Sequence, residues 1–414
     1  MLIKNKVGQN ILALSLIKGL QYILAFITFP YLVRVLQVEK FGAIAMAQGI
    51  IQYFMLFTDY GFNLTGPRDI AKNDTVEKRS AVFSSIFFAK ILLLLLASLV
   101  FILLSVLVSK SYKVDILLYF VVYLSVIGNV MFPVWFFQGI QEMRYITIAN
   151  IIARAAGVCG IFIFVKTPDD YVQAALMQSM VPVLAAVYSW YIIVKKYPEL
   201  LCRPGCGAIY EQLKNGWAIF VSTIAINLYT ASNVVFLGIL TNNTVVGYYS
   251  GAKKIVDNIT AIFSPVSEAI YPHVSKLADD SKEKAILFLK KLFRIVGVSA
   301  FVLSTTIFVF AEAIVGILLG NNYGESVFLL RILAFLPLII ALSNLFGIQT
   351  MLTLGMQKTF SGILVKAAVF NTIIVLPLIY LYQSVGVCVA ILITEFIVTT
   401  VMCFALKRNN IQLF

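Results

Sequence analysis

The sequence predicts an all-α polytopic membrane protein with twelve transmembrane helices in two six-helix bundles. Of its 414 residues, 61% are hydrophobic and 12% are charged, whereas soluble proteins carry about 25% charged residues. The mean hydropathy is +0.94. Apolar runs long enough to cross a bilayer, which takes about 20 helical residues, recur along the whole chain. A weak internal repeat divides these runs into two halves.

Charged residues, glycine and proline delimit the predicted spans. The twelve spans cover residues 10–33, 41–66, 81–108, 116–139, 147–165, 171–194, 215–240, 245–272, 292–319, 325–353, 360–381 and 385–406. The connections between spans are short, and the longest of them are also the most charged. These charged connections are residues 67–80, 195–214 and 273–291.

The distribution of Lys and Arg predicts the orientation. By these spans, 20 of the 32 basic residues lie outside the membrane on the side of the two termini, and five lie on the opposite side. Because basic connections are retained in the cytoplasm, both termini are predicted to be cytoplasmic. The same retention explains most of the net charge of +13, so this charge does not indicate a nucleic-acid partner.

The internal repeat predicts two homologous halves. A shift of 205 residues aligns span two with span eight. The aligned pairs are Gly42 and Gly247, Gln48 and Lys253, Gln52 and Asp257, Asn63 and Glu268, and Pro67 and Pro272. A shift of 216 residues aligns QGIQ (138–141) with LGMQ (354–357). Since each half holds an even number of spans, the repeat is parallel, with a pseudo-twofold axis along the membrane normal. The predicted domains are residues 1–200 and 201–414.

Span eight carries a polar face within an apolar helix. Its members, spaced by three or four residues along one helical face, are Lys253, Asp257, Thr260, Ser264 and Glu268. A charge at the bilayer centre costs roughly 3 kcal/mol, so this face is predicted to contact protein or water. One interpretation is an internal Lys253–Asp257 ion pair, four residues apart. The other is a stripe lining a water-filled pathway, which also accounts for Lys254 and Glu268.

Span two carries a corresponding polar stripe at the aligned positions. Its members are Gln48, Gln52, Asp59 and Asn63. The pathway is therefore predicted to be lined by two related faces, of which the one in the C-terminal half is the more cationic.

Four segments resemble one family. They are RVLQVEKFGAIAMAQ, DYGFNLTGPRDIAK, WFFQGIQEMRYITIAN and ILLGNNYGESVFLLRIL. As a set they resemble the polysaccharide transporters, the Wzx-type O-antigen flippases of the MATE-like multidrug/oligosaccharidyl-lipid/polysaccharide flippase superfamily. The resemblance runs over essentially the whole chain, and one departure is Gln37, where the family usually has Gly.

The resemblance implies a fold and a substrate. The fold is a V-shaped pair of six-helix bundles, MATE-like, that alternates between inward- and outward-open states in the bacterial inner membrane. The substrate is an oligosaccharide linked to undecaprenyl diphosphate, which moves from the cytoplasmic to the periplasmic leaflet. Further partners implied by this role are membrane lipids and other polysaccharide assembly proteins.

A diphosphate substrate gives the basic residues inside spans a role, because Coulomb attraction is strong where water is scarce. The candidates for a cationic lumen are Lys18, Arg154, Lys253, Lys254 and Lys366. The alternative for Lys18 is a hydrogen-bonded structural lysine. For Arg154 and Lys366 the alternative is snorkelling to the cytoplasmic headgroups. Lys90, within an unrelieved apolar run, is interpreted as structural.

Three acids inside spans are candidates for ion coupling or for charge balance. They are Asp59, Asp257 and Glu268. Charge balance is the favoured interpretation for Asp59 and Glu268, since a neighbouring base would neutralise either carboxylate.

The predicted function is that of a secondary transporter without cofactors, and not of an enzyme. The sequence has no G-x-x-x-x-G-K-[ST] motif, so ATP is not used directly. One histidine and five scattered cysteines predict no metal site. Two alternatives are a MATE-like small-molecule exporter and a membrane enzyme of the same pathway, a polymerase or glycosyltransferase. The cationic lumen disfavours the exporter, and the short periplasmic connections disfavour the enzyme.

Overall fold

The computed structural model describes residues 6–73, 75–111, 115–230, 232–409 and 411, and no β-strand occurs among them. The helices of the first half are α1 (Lys6–Asp59), α2 (Phe62–Ala71), α3 (Val76–Ser111), α4 (Ile116–Met131), α5 (Val134–Gly139), α6 (Met143–Phe164) and α7 (Tyr171–Lys196). Those of the second half are α8 (Cys206–Thr230), α9 (Ser232–Leu240), α10 (Asn243–Thr260), α11 (Phe263–Asp280), α12 (Lys282–Val309), α13 (Ala311–Leu318), α14 (Gly324–Leu333), α15 (Leu336–Asn344) and α16 (Gln357–Arg408). A π-helix, Leu345–Leu352, follows α15.

The two longest helices, α1 and α16, each break at a glutamine. The backbone φ is 60° at Gln37 and 50° at Gln383, in the region that glycine adopts without steric cost. Gln37 occupies the position where the resemblance leads one to expect Gly, so the chain keeps the glycine-type conformation with a different residue. The two breaks separate predicted spans one from two and eleven from twelve.

The helices present apolar side chains outward. Eight helical segments in the described residues are long and apolar enough to cross a membrane. On α3 the exposed side chains include Leu95, Leu99, Leu103 and Leu107, and a continuous exposed apolar strip of this kind suits lipid rather than water. The chain is an all-α polytopic membrane protein, as predicted. Twelve crossings and cytoplasmic termini stay predictions.

The chain forms two compact units. Unit 1 comprises Met1–Leu36 and Ala47–Ile224, and unit 2 comprises Gln37–Met46 and Ala225–Phe414. Gln37–Met46 belongs to unit 2, and the first part of α8 packs within unit 1. There the Phe220 ring stacks on Tyr60 with centroids 4.4 Å apart, and Phe220 is buried. The predicted domain boundary after residue 200 stays a prediction.

Two glycines bring helix backbones into direct contact within unit 2. A Cβ atom at Gly42 would lie 1.8 Å from the Asn243 carbonyl oxygen, and one at Gly247 would lie 2.1 Å from the Val38 carbonyl oxygen. Only glycine fits at either position, since the obstructing atoms belong to the backbone. These are the two glycines that the shift of 205 residues aligns.

The segment after α7 is tied to α3 by serine hydroxyls. Ser80 Oγ donates to the Glu199 carbonyl at 2.6 Å, and Ser84 Oγ donates to the Leu200 carbonyl at 2.7 Å. The Cys202 backbone N–H donates to Ser84 Oγ at 3.0 Å. The polar Ser80 and Ser84 side chains beside the Cys202 thiol also lower its pKa.

This thiol provides a test of the predicted orientation. Cys202 is exposed and lies in a connection predicted to be cytoplasmic. With the exposed Cys159 and Cys206 replaced by Ser, we expect a membrane-impermeant maleimide to label Cys202 in inverted vesicles and not in right-side-out vesicles. The labelling rate should reach half its maximum below pH 9.0, the ordinary thiol pKa, and Ser80→Ala should shift this midpoint upward. Labelling confined to right-side-out vesicles would contradict the orientation.

Candidate functional site

A buried charge pair joins three helices of unit 1. Lys90 Nζ on α3 lies 3.0 Å from Asp59 Oδ1 at the end of α1, and Asn129 Nδ2 on α4 donates to the same oxygen at 3.0 Å. The side chain of Lys90 is 1% exposed and that of Asp59 is 25% exposed. A lysine this deeply buried needs such a partner, because an uncompensated charge in a dry interior is strongly destabilising.

A cavity of about 330 Å³ with both polar and apolar walls lies in unit 1 between α1, α4 and α7. Its polar lining consists of Gln48, Gln52, Ser125, Gln178 and Ser179. Gln48 Nε2 donates to Gln178 Oε1 at 3.1 Å, and Gln178 Nε2 donates to the Ala174 carbonyl at 3.3 Å. No ionised side chain lines the cavity. Amide side chains both donate and accept hydrogen bonds, so the lining suits a neutral ligand rich in hydroxyl groups.

The charged face of α10 in unit 2 is partly self-neutralised. Lys253 forms an ion pair with Asp257, and their side chains are 24% and 47% exposed. Lys253 also lies within electrostatic range of the Glu395 side chain on α16. The Lys253–Asp257 ion pair, one of the two interpretations of this face, is therefore present in the structure. A pathway role for Lys253 stays a prediction.

The remaining predicted site residues fall into two groups. Arg154 on α6, Lys254 on α10 and Lys366 on α16 are exposed, which fits both a cationic pathway and snorkelling to headgroups. The side chains of Lys18 and Glu268 lie outside the part of the chain that the structure describes. None of the described contacts joins the five predicted basic residues into one cluster.

The same part of the chain contains no group of three or more His, Cys, Asp or Glu side chains arranged to hold a metal ion. All five cysteines are free thiols.

Two of the five polar residues that line the unit 1 cavity were predicted from the sequence, and three were not. Gln48 and Gln52 belong to the predicted stripe of span two, whereas Ser125, Gln178 and Ser179 were not predicted. Gln178 could have been predicted from the sequence, because it is an uncharged polar residue inside predicted span six. No signal in the sequence paired Asp59 with Lys90, since their contact depends on how α1 and α3 pack.

Comparison with known proteins identifies the family. A family model described as "Polysaccharide biosynthesis protein" matches residues 7–278. The chain belongs to this family. A relative from Escherichia coli (strain K12), named "Putative O-antigen transporter", is 31% identical over 409 residues, which cover 99% of this chain and 98% of the relative. The resemblance to the Wzx-type flippases is thereby confirmed.

Solved structures support the MATE-like fold of this polysaccharide family member. The structure named "Lipid II flippase MurJ, inward closed conformation" matches with a TM-score of 0.71 at 12% identity, covering 96% of this chain and 87% of that one. An inward-facing multidrug resistance MATE family transporter of the MOP superfamily matches with a TM-score of 0.67 at 13% identity, covering 94% and 98%. At these identities the likeness shows the fold alone.

Proposed function

We propose that the chain is a flippase that moves an oligosaccharide linked to undecaprenyl diphosphate from the cytoplasmic to the periplasmic leaflet by alternating access. The observation that carries the proposal is the uncharged, amide-lined cavity of unit 1, about 330 Å³ in volume, within membrane-spanning helices. The names of the O-antigen transporter relative and of the lipid II flippase support a lipid-linked glycan as the substrate class.

In this proposal the glycan is bound by neutral groups. A sugar that leaves water loses hydrogen bonds to its hydroxyls, and unpaired polar groups in an apolar interior cost about 1–3 kcal/mol each. Gln48, Gln52 and Gln178 would replace those hydrogen bonds, since each amide offers both a donor and an acceptor. Because the lining is uncharged, it would not bind the sugar so tightly that release becomes slow.

The diphosphate is assigned to basic side chains. Arg154 and Lys366 would meet it first on the cytoplasmic side, and Lys253 and Lys254 later in the passage, with Lys18 as a further cation of the lumen. Lys253 would have to exchange Asp257 for phosphate. That exchange is favourable only where the phosphate approaches closely in a water-poor environment.

The acids are assigned to charge balance and coupling. Asp59 balances Lys90, whereas Asp257 and Glu268 are the remaining candidates for binding a coupling proton or cation. With no nucleotide-binding motif in the sequence, the energy would come from an ion gradient, the membrane potential or removal of the product. The protein acts as a transporter and not as a catalyst in this scheme.

Gln178→Leu tests the glycan site. In proteoliposomes, the flipping rate is the rate at which an added glycosidase gains access to the lipid-linked oligosaccharide. We expect Gln178→Leu to lower this rate about ten-fold, equivalent to about 1.4 kcal/mol in the barrier. Gln173→Leu is the matched control, because Gln173 lies on the same helix but is exposed.

The same vesicles separate the proposal from its alternative. Equal rates for Gln178→Leu and the unmutated protein would exclude the cavity as the glycan site. Uptake of a cationic drug by the unmutated protein, with no flipping of the oligosaccharide, would favour the small-molecule exporter.

A further inference from the structure

A second cavity, mostly apolar with a few polar side chains in its wall, lies in unit 2, where α10 ends and α11 begins, against α12, α15 and the π-helix. Its volume is about 90 Å³, several times the roughly 10–15 Å³ that one water needs. The polar part of its lining consists of Thr260, Ser264, Ser267, Asn344 and Gln349. The cavity thus has room for a small chemical group with hydrogen-bonding capacity.

One lining side chain is an unsatisfied acceptor. Gln349 is 3% exposed, and its Oε1 has no hydrogen-bond partner. Its Nε2 donates to the Ser267 carbonyl at 2.9 Å and to Ser267 Oγ at 2.8 Å. Exchanging the amide O and N would lose the bond to the Ser267 carbonyl, because two carbonyl oxygens cannot hydrogen-bond to each other. A buried acceptor without a partner costs about 1–3 kcal/mol. Gln349 also lies on a π-helix, a feature frequent at functional sites.

A donor is present in the same cavity. Asn344 Oδ1 accepts from Ser267 Oγ at 2.9 Å, an orientation in which the amide Nδ2 is left to donate elsewhere. Its Nδ2 makes no hydrogen bond within the described residues. One free acceptor and one free donor are therefore held in place by a single serine.

The rest of the cavity is apolar, with Phe263 and Ile270 among its walls. No ionised side chain lines it, so a bound cation or phosphate would have no counter-charge, at a large cost in desolvation. The lining therefore suits a neutral group that offers a donor, an acceptor and an apolar part.

We propose that this cavity is a subsite for the acetamido group of an N-acetylated sugar. The acetamido N–H donates to Gln349 Oε1, its carbonyl oxygen accepts from Asn344 Nδ2, and its methyl packs against Phe263 and Ile270. A sugar hydroxyl satisfies the two amides but leaves the apolar wall unfilled. The subsite rests on the proposed function, because it takes the cargo to be a glycan.

The test is ligand-observed ¹⁹F NMR on the full-length protein in nanodiscs, with N-trifluoroacetylglucosamine as the probe. We expect the unmutated protein to at least double the probe's line width. Excess N-acetylglucosamine should reverse the broadening, and the same concentration of glucose should not. Gln349→Met, which removes the acceptor at similar volume, should abolish the broadening. Gln357→Met, at an exposed glutamine outside the cavity, should leave it unchanged.

A second variant keeps the test decisive if Gln349→Met does not fold. Asn344→Leu removes the donor and should also abolish the broadening in protein whose thermal unfolding is unchanged. Equal reversal by glucose, persistent broadening in either folded variant, or no broadening with the unmutated protein would overturn the subsite. Flipping of the lipid-linked oligosaccharide without probe binding would reject the subsite alone, whereas probe binding without flipping would reject the proposed function.

Discussion

Replacing Lys90 with Met is expected to lower the free energy of unfolding by about 3 kcal/mol. The substitution keeps an unbranched apolar stem one atom shorter than that of lysine and removes the positive charge. The Asp59 carboxylate then keeps the hydrogen bond from Asn129 but loses its ion pair. Breaking a buried ion pair by removing one partner costs about 3–5 kcal/mol. We expect the lower end of this range because the Asp59 side chain is 25% exposed, so water partly solvates the carboxylate. Unfolding by SDS in mixed micelles gives the measurement.

The double variant Asp59→Asn/Lys90→Met should recover most of this loss. With both charges removed, no ion is left uncompensated, and Asn at position 59 can still accept from Asn129. Lys72→Met is the control, because Lys72 is exposed and its loss should change the stability by less than about 0.5 kcal/mol. A double variant as unstable as Lys90→Met would show that the pair does not act by charge balance.

Transport by the double variant decides between the two roles predicted for Asp59. If Asp59 only balances Lys90, we expect the double variant to flip the oligosaccharide at a rate near that of the unmutated protein. A stable double variant that still flips slowly, but no longer faster under the pH gradient that accelerates the unmutated protein, would assign the coupling proton to Asp59.

Gly247→Ala is expected to lower the free energy of unfolding by about 2 kcal/mol. The added Cβ would lie 2.1 Å from the Val38 carbonyl oxygen, a backbone atom that cannot move without displacing α1. Overpacking of this kind costs up to about 3 kcal/mol, whereas Ala gains about 1 kcal/mol over Gly in a helix. The steric cost therefore exceeds the gain in helix propensity.

Gly362→Ala on α16 is the matched control. No atom lies within 4 Å of the Cβ position at Gly362, so only the helix propensity changes and we expect a stabilisation of up to about 1 kcal/mol. The same SDS titration measures both variants. A neutral or stabilising Gly247→Ala would contradict the close backbone contact between α1 and α10.

The class of fold could be predicted from the sequence because it depends on local composition. A run of apolar residues predicts a membrane helix wherever it occurs, and the breaks at Gln37 and Gln383 lie between the runs. The alignment of Gly42 with Gly247 also came from the sequence, although nothing in it showed that the two residues are in contact. Two of the five polar residues that line the unit 1 cavity, Gln48 and Gln52, were predicted as part of a polar stripe for the same local reason.

What the sequence by itself determined is thus the membrane class, the helical pattern and the family. The tertiary structure alone decided which polar groups meet. Asp59 pairs with Lys90 and accepts a hydrogen bond from Asn129. Gln48 donates a hydrogen bond to Gln178, and Gln349 donates one to Ser267. The partners in these contacts are separated by 31 to 130 residues. The physical reason is that a polar side chain on an apolar helix needs a hydrogen-bond or ion-pair partner. Which residue becomes that partner depends on how the helices pack. The hydrophobic periodicity of the sequence does not specify this packing.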